Sequence, residues 1–303
     1  MEVIQVTPRG YCKGVTRAIA LAKKTAIDNP TTPIYVLGML VHNTYVMQAL
    51  KECHIIAIDD KTKTRLELLD AIPSGSIVIF TAHGIAPNVI QKAKDKNLTC
   101  VDASCLDVVK TQNIVKDKLQ ECYDVLYIGK KNHPEAEAVC SLDEHVHLIT
   151  SLDDIAHLAS FQKVFVTNQT TMSIFDVEQL FEDIKKRYPQ AEISEEICNA
   201  TRIRQEGVAL LEGKGIDILY VVGDAHSNNS NRLAQIAKER GIPHVYLIDD
   251  VHAIADEQLQ GATKVAVTSG ASTPTYLTTQ VIEYLNHYQK GALKPSIDIH
   301  KIL

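Results

Sequence analysis

A chain of 303 residues is longer than one hydrophobic core usually serves, and a hydrophobic content of 45% allows two cores, or three if the domains are small. A net charge of −6, 5% aromatic residues and no tryptophan argue against a phosphate-backbone binder and a base-stacking nucleic-acid platform. No apolar run approaches the roughly 20 residues that span a bilayer. The N-terminal run lacks the basic region of a signal peptide, so a cytoplasmic location is expected, where seven cysteines more often bind metal or react than pair as disulfides.

In chain order, Met1 to Val6 reads as a first strand leading to Cys12. A helix-like stretch follows, with Val15, Ala18, Ile19 and Ala22 on one face. An apolar strand then runs from Ile34 to Gly38, His42 and Asn43 open a helix, and a second strand from Val78 to Thr81 runs into His83. The pattern begins again at Cys105, with Val108, Val115 and Leu119 on one helix face and a strand from Val125 to Gly129. His133-Pro134-Glu135 then opens a helix, and a strand from Val164 to Thr167 leads to Gln169-Thr170-Thr171 before a helix over Ile174 to Tyr188. It begins once more at Cys198, with Ile203, Gly207, Leu210 and Leu211 along a helix and a strand from Ile218 to Gly223. Ser227-Asn228-Asn229-Ser230 precedes a helix over Arg232 to Ala237. The last strand, Val265 to Thr268, leads to Ser272-Thr273-Pro274, with Pro274 suited to the first helical position.

Cys12, Cys105 and Cys198 thus recur at a spacing of 93 residues, and their surroundings recur with them. Solenoid repeats run roughly 20–50 residues, so the expected fold is α/β, with three similar α/β units around one centre and parallel sheets whose ligands sit beyond the strands' carboxyl ends. The boundaries that follow are an N-terminal strand with the first cysteine (1–12), domains over 13–103, 104–197 and 198–283, and a tail over 284–303 whose place the sequence leaves open.

One cysteine per unit, each at a helix start where the positive end of the helix favours thiolate, has a chemical meaning. Structural zinc sites use four ligands with short C-x2-C pairs, which this chain lacks. Three separated thiolates can instead hold an iron–sulfur cluster, leaving one iron open to a substrate oxygen. Cys53, Cys100, Cys122 and Cys140 fall outside the period and read as small buried hydrophobes. An open-iron dehydratase and a non-catalytic cluster sensor remain alternatives; a Rossmann nucleotide binder is disfavoured because no G-x-G-x-x-G follows a strand.

The motifs Pro8-Arg9-Gly10-Tyr11-Cys12, Leu40-Val41-His42-Asn43, Thr81-Ala82-His83-Gly84, Asp102-Ala103-Ser104-Cys105, His133-Pro134-Glu135, Gln169-Thr170-Thr171, Ile197-Cys198, Ser227-Asn228-Asn229-Ser230-Asn231-Arg232-Leu233 and Gly270-Ala271-Ser272, in this order, resemble the LytB/IspH family over residues 3–285. The resemblance implies three α/β domains in pseudo-threefold arrangement around a [4Fe–4S] cluster. It also implies reductive dehydroxylation of an allylic diphosphate, 4-hydroxy-3-methylbut-2-enyl diphosphate, at the open iron, with electrons from an external donor such as flavodoxin or ferredoxin. Carried over position by position, Cys12, Cys105 and Cys198 would ligate the cluster. Glu135 would be the proton source, assisted by Thr170 and His133. His42, His83, His133, Ser227, Asn229 and Ser272 would bind the diphosphate, with Asn228 beside them. Three positions depart from the family pattern: Leu106 replaces the proline common after the second cysteine, Asn228 replaces a serine, and the stretch after Cys198 matches loosely, which leaves a diphosphate contact from Thr201 open.

Overall fold

The structure, a computed structural model, describes residues 1–60 and 62–303. Its first third runs β1 (Glu2–Gln5), α1 (Lys13–Asp28), β2 (Ile34–Leu37), α2 (Thr44–Glu52), β3 (Ile55–Ile58), α3 (Arg65–Leu68), β4 (Ile77–Phe80), α4 (Pro87–Asp95) and β5 (Thr99–Asp102). The middle third follows with α5 (Leu106–Gln120), β6 (Asp124–Ile128), α6 (Pro134–Cys140), β7 (Val146–Ile149), α7 (Leu152–Ala156), β8 (Val164–Asn168), α8 (Ile174–Arg187) and β9 (Glu192–Ile193). The last third holds α9 (Asn199–Ala209), β10 (Ile218–Val222), α10 (Asn228–Glu239), β11 (His244–Ile248), β12 (Lys264–Ser269) and α11 (Thr275–Asn286).

Among the described residues the strands form three four-stranded sheets, ordered β3-β2-β4-β5, β7-β6-β8-β9 and β11-β10-β12-β1, and every pairing is parallel. The three orders are the same once β1 is given the place that β5 and β9 take in the other sheets. The N-terminal strand therefore closes the third sheet, with Val3 opposite Val265. Central strands such as β4, β8 and β10 are buried along their whole length, as expected where helices cover both faces. The edge strands β1 and β5 keep exposed residues.

The chain divides into two compact units. The first comprises Met1–Thr16, Val41–Cys53 and Asn199–Leu303 and contains the sheet closed by β1. The second comprises Arg17–Leu40 and His54–Cys198 and contains the other two sheets. In the second unit, β6 feeds two cores by its alternation: Leu126 and Ile128 pack with residues of α8, whereas Val125 and Tyr127 pack with Val115 of α5 and Ala136 and Val139 of α6. In every sheet the first central strand is followed by a glycine whose N–H donates to a neighbouring strand: Gly38 to Ile58, Gly129 to Ile149 and Gly223 to Ile248.

Two helix starts differ from the sequence reading. The Ser227 side chain caps α10 by accepting from the Ser230 N–H, so the helix begins at Asn228, inside the polar run. Pro274 is the cap of α11, and its first helical residue is Thr275. The C-terminal tail packs within the first unit: Gln280 Nε2 donates to the Ser296 carbonyl, and Ile302 is buried beside the Tyr11 hydroxyl, which donates to its carbonyl at 2.7 Å. Among the described residues no helix is long and apolar enough to cross a membrane.

Candidate active site

The repeat places each periodic cysteine directly before a helix: Cys12 before α1, Cys105 before α5 and Cys198 before α9. Each also uses its backbone N–H in the same way. It donates to the carbonyl two residues past the end of a central strand: Cys12 to Ala271 after β12 (2.9 Å), Cys105 to Ala82 after β4 (2.9 Å) and Cys198 to Thr170 after β8 (3.1 Å). All three are half-buried. A half-buried thiol with its own amide occupied, at the positive end of a helix, suits a thiolate ligand of an anionic cluster. Among the described residues no three His, Cys, Asp or Glu side chains group as ligands of a single ion, although thiolates around four irons stand wider apart than the ligands of one.

Of the remaining cysteines, Cys100 and Cys140 pack against apolar cores and burial raises both thiols, Cys140 to about 11, which keeps them protonated. Cys122 departs from the expected burial, lying exposed in the turn after α5 with φ of 61°.

In the second unit the Glu135 carboxyl is set at the start of α6. His133 caps this helix in an extended conformation, and its Nδ1 accepts from the Glu135 N–H at 3.2 Å, so the proton of the neutral ring sits on Nε2. Proline at the first helical position leaves Glu135 in the first turn, where it is 1% exposed. Thr170 N–H donates to Glu135 Oε1 at 2.8 Å and Thr170 Oγ1 lies 3.0 Å from Oε2. Burial raises the Glu135 carboxyl to about 7, against the lowering effect of the bonds from Thr170 and Tyr127; Asp107, two residues beyond Cys105, adds to the rise. The carboxyl is therefore poised to give up a proton near neutral pH.

His83 stands half-buried after β4, its ring edge-to-face with His133 at 5.7 Å between centroids. Its loop is held by Arg65, whose Nη1 donates to the Gly84 carbonyl at 3.1 Å. Gly84 adopts φ of 87°, and a Cβ there would come within 2.9 Å of Val108 on α5, so this loop and the Cys105 helix pack only around glycine.

In the first unit, Gly10 (φ 77°) lets the loop before Cys12 lie against α11, where a Cβ would stand 2.2 Å from Thr275 Oγ1. Its N–H donates to Ser269 Oγ at 2.7 Å, and its carbonyl accepts from Arg204 Nη2 at 2.7 Å. Ser272 Oγ, one residue beyond the carbonyl that takes the Cys12 amide, donates to the His42 carbonyl at 2.9 Å. Ser227 and Asn229 are buried at the start of α10, and among the described residues neither polar side-chain atom of Asn229 has a hydrogen-bond partner. A buried amide in that condition, at a helix N-terminus, is suited to an anionic ligand. Close approach of Gly223 and Gly270 to α10 is required here, because a Cβ on either would stand 2.3 or 2.1 Å from Ser230 Oγ.

The LytB protein family model matches residues 3–286. The chain belongs to the LytB family. Among curated relatives it is 50% identical over 291 residues to 4-hydroxy-3-methylbut-2-enyl diphosphate reductase of Bacillus mycoides, covering 95% of this chain and 91% of that protein. It is 51% identical over 291 residues to the same enzyme of Bacillus cytotoxicus, with the same coverage of 95% and 91%. Among solved structures, E-1-hydroxy-2-methyl-but-2-enyl-4-diphosphate reductase of Plasmodium falciparum aligns with a TM-score of 0.88 at 31% identity over 99% of this chain and 96% of that one. A second structure, (E)-4-hydroxy-3-methyl-but-2-enyl diphosphate reductase, the terminal enzyme of the non-mevalonate pathway, aligns with a TM-score of 0.65 at 27% identity over 94% and 99%.

In this LytB chain the second unit gathers Cys105, Cys198, His83, His133, Glu135 and Thr170, and the first gathers Cys12, His42, Ser227, Asn228, Asn229 and Ser272. Sequence reasoning passed over Asp224 and Tyr127. Burial raises the Asp224 carboxyl, but hydrogen bonds from Thr44 and His226 outweigh this and hold it at about 2. Its position just after Gly223 at the end of β10 was the available signal. Tyr127 gave none, because a tyrosine inside an apolar strand reads as core. Leu106, in place of the usual proline, is the exposed first residue of α5; the Cys105 cap before it is extended, with φ of −61° and ψ of 141°.

Proposed function

We propose that the chain reduces 4-hydroxy-3-methylbut-2-enyl diphosphate to isopentenyl and dimethylallyl diphosphate, the last step of the non-mevalonate isoprenoid pathway. The observation that carries this reading is the buried Glu135, with a carboxyl at about 7, bonded to Thr170, whose carbonyl takes the Cys198 amide. Proton donor and cluster ligand are thus one residue's hydrogen bonds apart.

Cys12, Cys105 and Cys198 would hold a [4Fe–4S] cluster, and their shared placement before helices, with amides already engaged, supports the assignment. When bound, the cluster supplies electrons and an iron with an open coordination position. The overall change consumes two electrons and two protons, breaks the allylic C–O bond and releases water. Hydroxide is a poor leaving group, so Glu135 gives a proton to the departing hydroxyl, and Thr170 orients that hydroxyl and relays the proton. The diphosphate is held by the imidazoles of His42, His83 and His133, the hydroxyls of Ser227 and Ser272, the amide of Asn229 and the N-terminus of α10, with Asn228 beside them. Imidazoles, hydroxyls and amides in a closed site satisfy phosphate oxygens with little arginine. The electrons come from a small external carrier such as flavodoxin or ferredoxin, in the cytoplasm.

Single Cys→Ala substitutions test the ligand set. Cys12, Cys105 or Cys198 to alanine should each abolish cluster absorbance and iron retention after anaerobic reconstitution, while Cys100→Ala keeps both. Full cluster retention in any of the first three contradicts the assignment.

A further inference from the structure

Tyr127 lies on the central strand β6, fully buried, and its ring packs beneath α6 with Ala136 and Val139. Room for the ring comes from Gly129, where a Cβ would stand 3.0 Å from Tyr127 Cε1. A buried phenol needs an acceptor, and this one donates to Glu135 Oε1 at 3.3 Å. That oxygen also accepts the Thr170 N–H at 2.8 Å, whereas among the described residues Oε2 meets only the Thr170 hydroxyl, at 3.0 Å.

The two carboxyl oxygens are therefore chemically unequal. An sp² oxygen has two lone pairs, and on Oε1 both face donors that keep their own hydrogens. A proton arriving on Glu135 is driven to Oε2. From there it points at Thr170 Oγ1, and the threonine hydroxyl hydrogen is released to point onward.

We propose that Tyr127 is a positioning residue for the acid: together with the Thr170 amide it occupies Oε1 and so keeps the transferable proton of Glu135 on Oε2, beside the Thr170 hydroxyl. This rests on the reading of Glu135 as the proton donor. The phenol can serve at every working pH, since burial and the neighbouring Glu135 push it well above the ordinary tyrosine range. The other titratable groups near the pair are Asp107 on α5, which raises Glu135, Cys140 on α6, which raises Tyr127, and His133, which binds the Glu135 amide. A donor to the carboxylate favours its ionised form, so removing the phenol hydroxyl should raise the Glu135 pKa further.

The test is Tyr127→Phe in the anaerobically prepared holoenzyme, which keeps the ring and deletes one oxygen. Loss of one buried hydrogen bond should lower kcat about five-fold, with KM and iron content unchanged and the alkaline limb of the pH profile moved to higher pH. Infrared spectra read the same effect without turnover: the carbonyl band of protonated Glu135, identified by its absence in Glu135→Gln, should move to higher frequency as Oε1 loses a donor. Site-specific 3-fluorotyrosine at 127, a stronger donor of nearly the same shape, should move both limb and band the opposite way, and it decides the matter if the phenylalanine variant does not fold. Unchanged kcat, pH limb and carbonyl band in the folded variants make Tyr127 a core residue and overturn the proposal. Wild-type turnover in Glu135→Gln would instead overturn the reading of the acid on which it rests.

Discussion

Thr170 binds both carboxyl oxygens of Glu135, its amide to Oε1 at 2.8 Å and its hydroxyl to Oε2 at 3.0 Å, while its carbonyl accepts the amide of Cys198. One residue thus holds both the Glu135 carboxyl and the amide of Cys198. Glutamine at position 135 preserves the shape and the bonds to Thr170 but has no proton to give. Glu135→Gln should retain its cluster absorbance and lose about 10²–10⁴-fold in kcat, the usual worth of a general acid. Turnover at the wild-type rate removes Glu135 from the chemistry.

The same carboxyl sets a pH dependence. Its pKa is raised to about 7 in the folded chain, so the protonated form that the proposed proton donation requires is lost as pH rises through that value, and kcat should fall on the alkaline side. Stability follows the same sign. A raised folded pKa means the favourable neutral burial is complete below the unfolded carboxyl pKa and is lost as pH rises through about 7. The stability advantage of Glu135→Gln over wild type should therefore be larger at pH 8 than at pH 5, by on the order of 2 kcal/mol. Denaturant melts of the two holoproteins at both pH values check this, and a gap of the same size at pH 5 contradicts it.

Asn229 separates a binding role from a structural one. Its side-chain amide is buried with both polar atoms unpartnered among the described residues, and an unpartnered buried amide costs stability. Asn229→Leu should raise stability by about 1 kcal/mol and raise KM for the diphosphate about ten-fold. Calorimetric titration with inorganic diphosphate and thermal melts measure the two effects. A loss of stability with unchanged diphosphate affinity would show the amide to be structural.

Asp224 anchors the segment that carries His42. Its Oδ2 accepts from the amide and hydroxyl of Thr44, at 2.8 and 2.6 Å, on the first residue of α2. With the carboxyl held at about 2, this contribution is complete above the ordinary range near pH 4 and disappears as pH falls toward 2. Asp224→Asn should destabilise the protein by about 2 kcal/mol at pH 7 and weaken diphosphate binding through His42 without altering the iron content. Urea midpoints and iron assays report these separately, and an unshifted midpoint contradicts the anchoring role.

Much of the fold was legible because the sequence states it three times. A glycine after each first central strand, a polar residue four positions later and a cysteine before the first helix of each third were readable as a period, since each follows from the local chemistry of strand ends and helix caps. The pairing of β1 with β12 was not, because parallel partners that far apart in sequence leave no local mark. Asn229 could be named from its motif, but its unpartnered amide appears only once the helix start at Asn228 is fixed. Tyr127 was hidden for a different reason: its phenol acts across from β6 to α6, and strand periodicity reports only that its ring is inside.

The most direct test of the account is one anaerobic preparation in which iron and sulfide are quantified and the same sample is given 4-hydroxy-3-methylbut-2-enyl diphosphate with a reduced viologen dye. The protein should carry about four irons and four sulfides per chain, with dye oxidation matched by formation of isopentenyl and dimethylallyl diphosphate. Failure of the chain to take up iron on reconstitution, or a full cluster that oxidises no dye with this substrate, would contradict it.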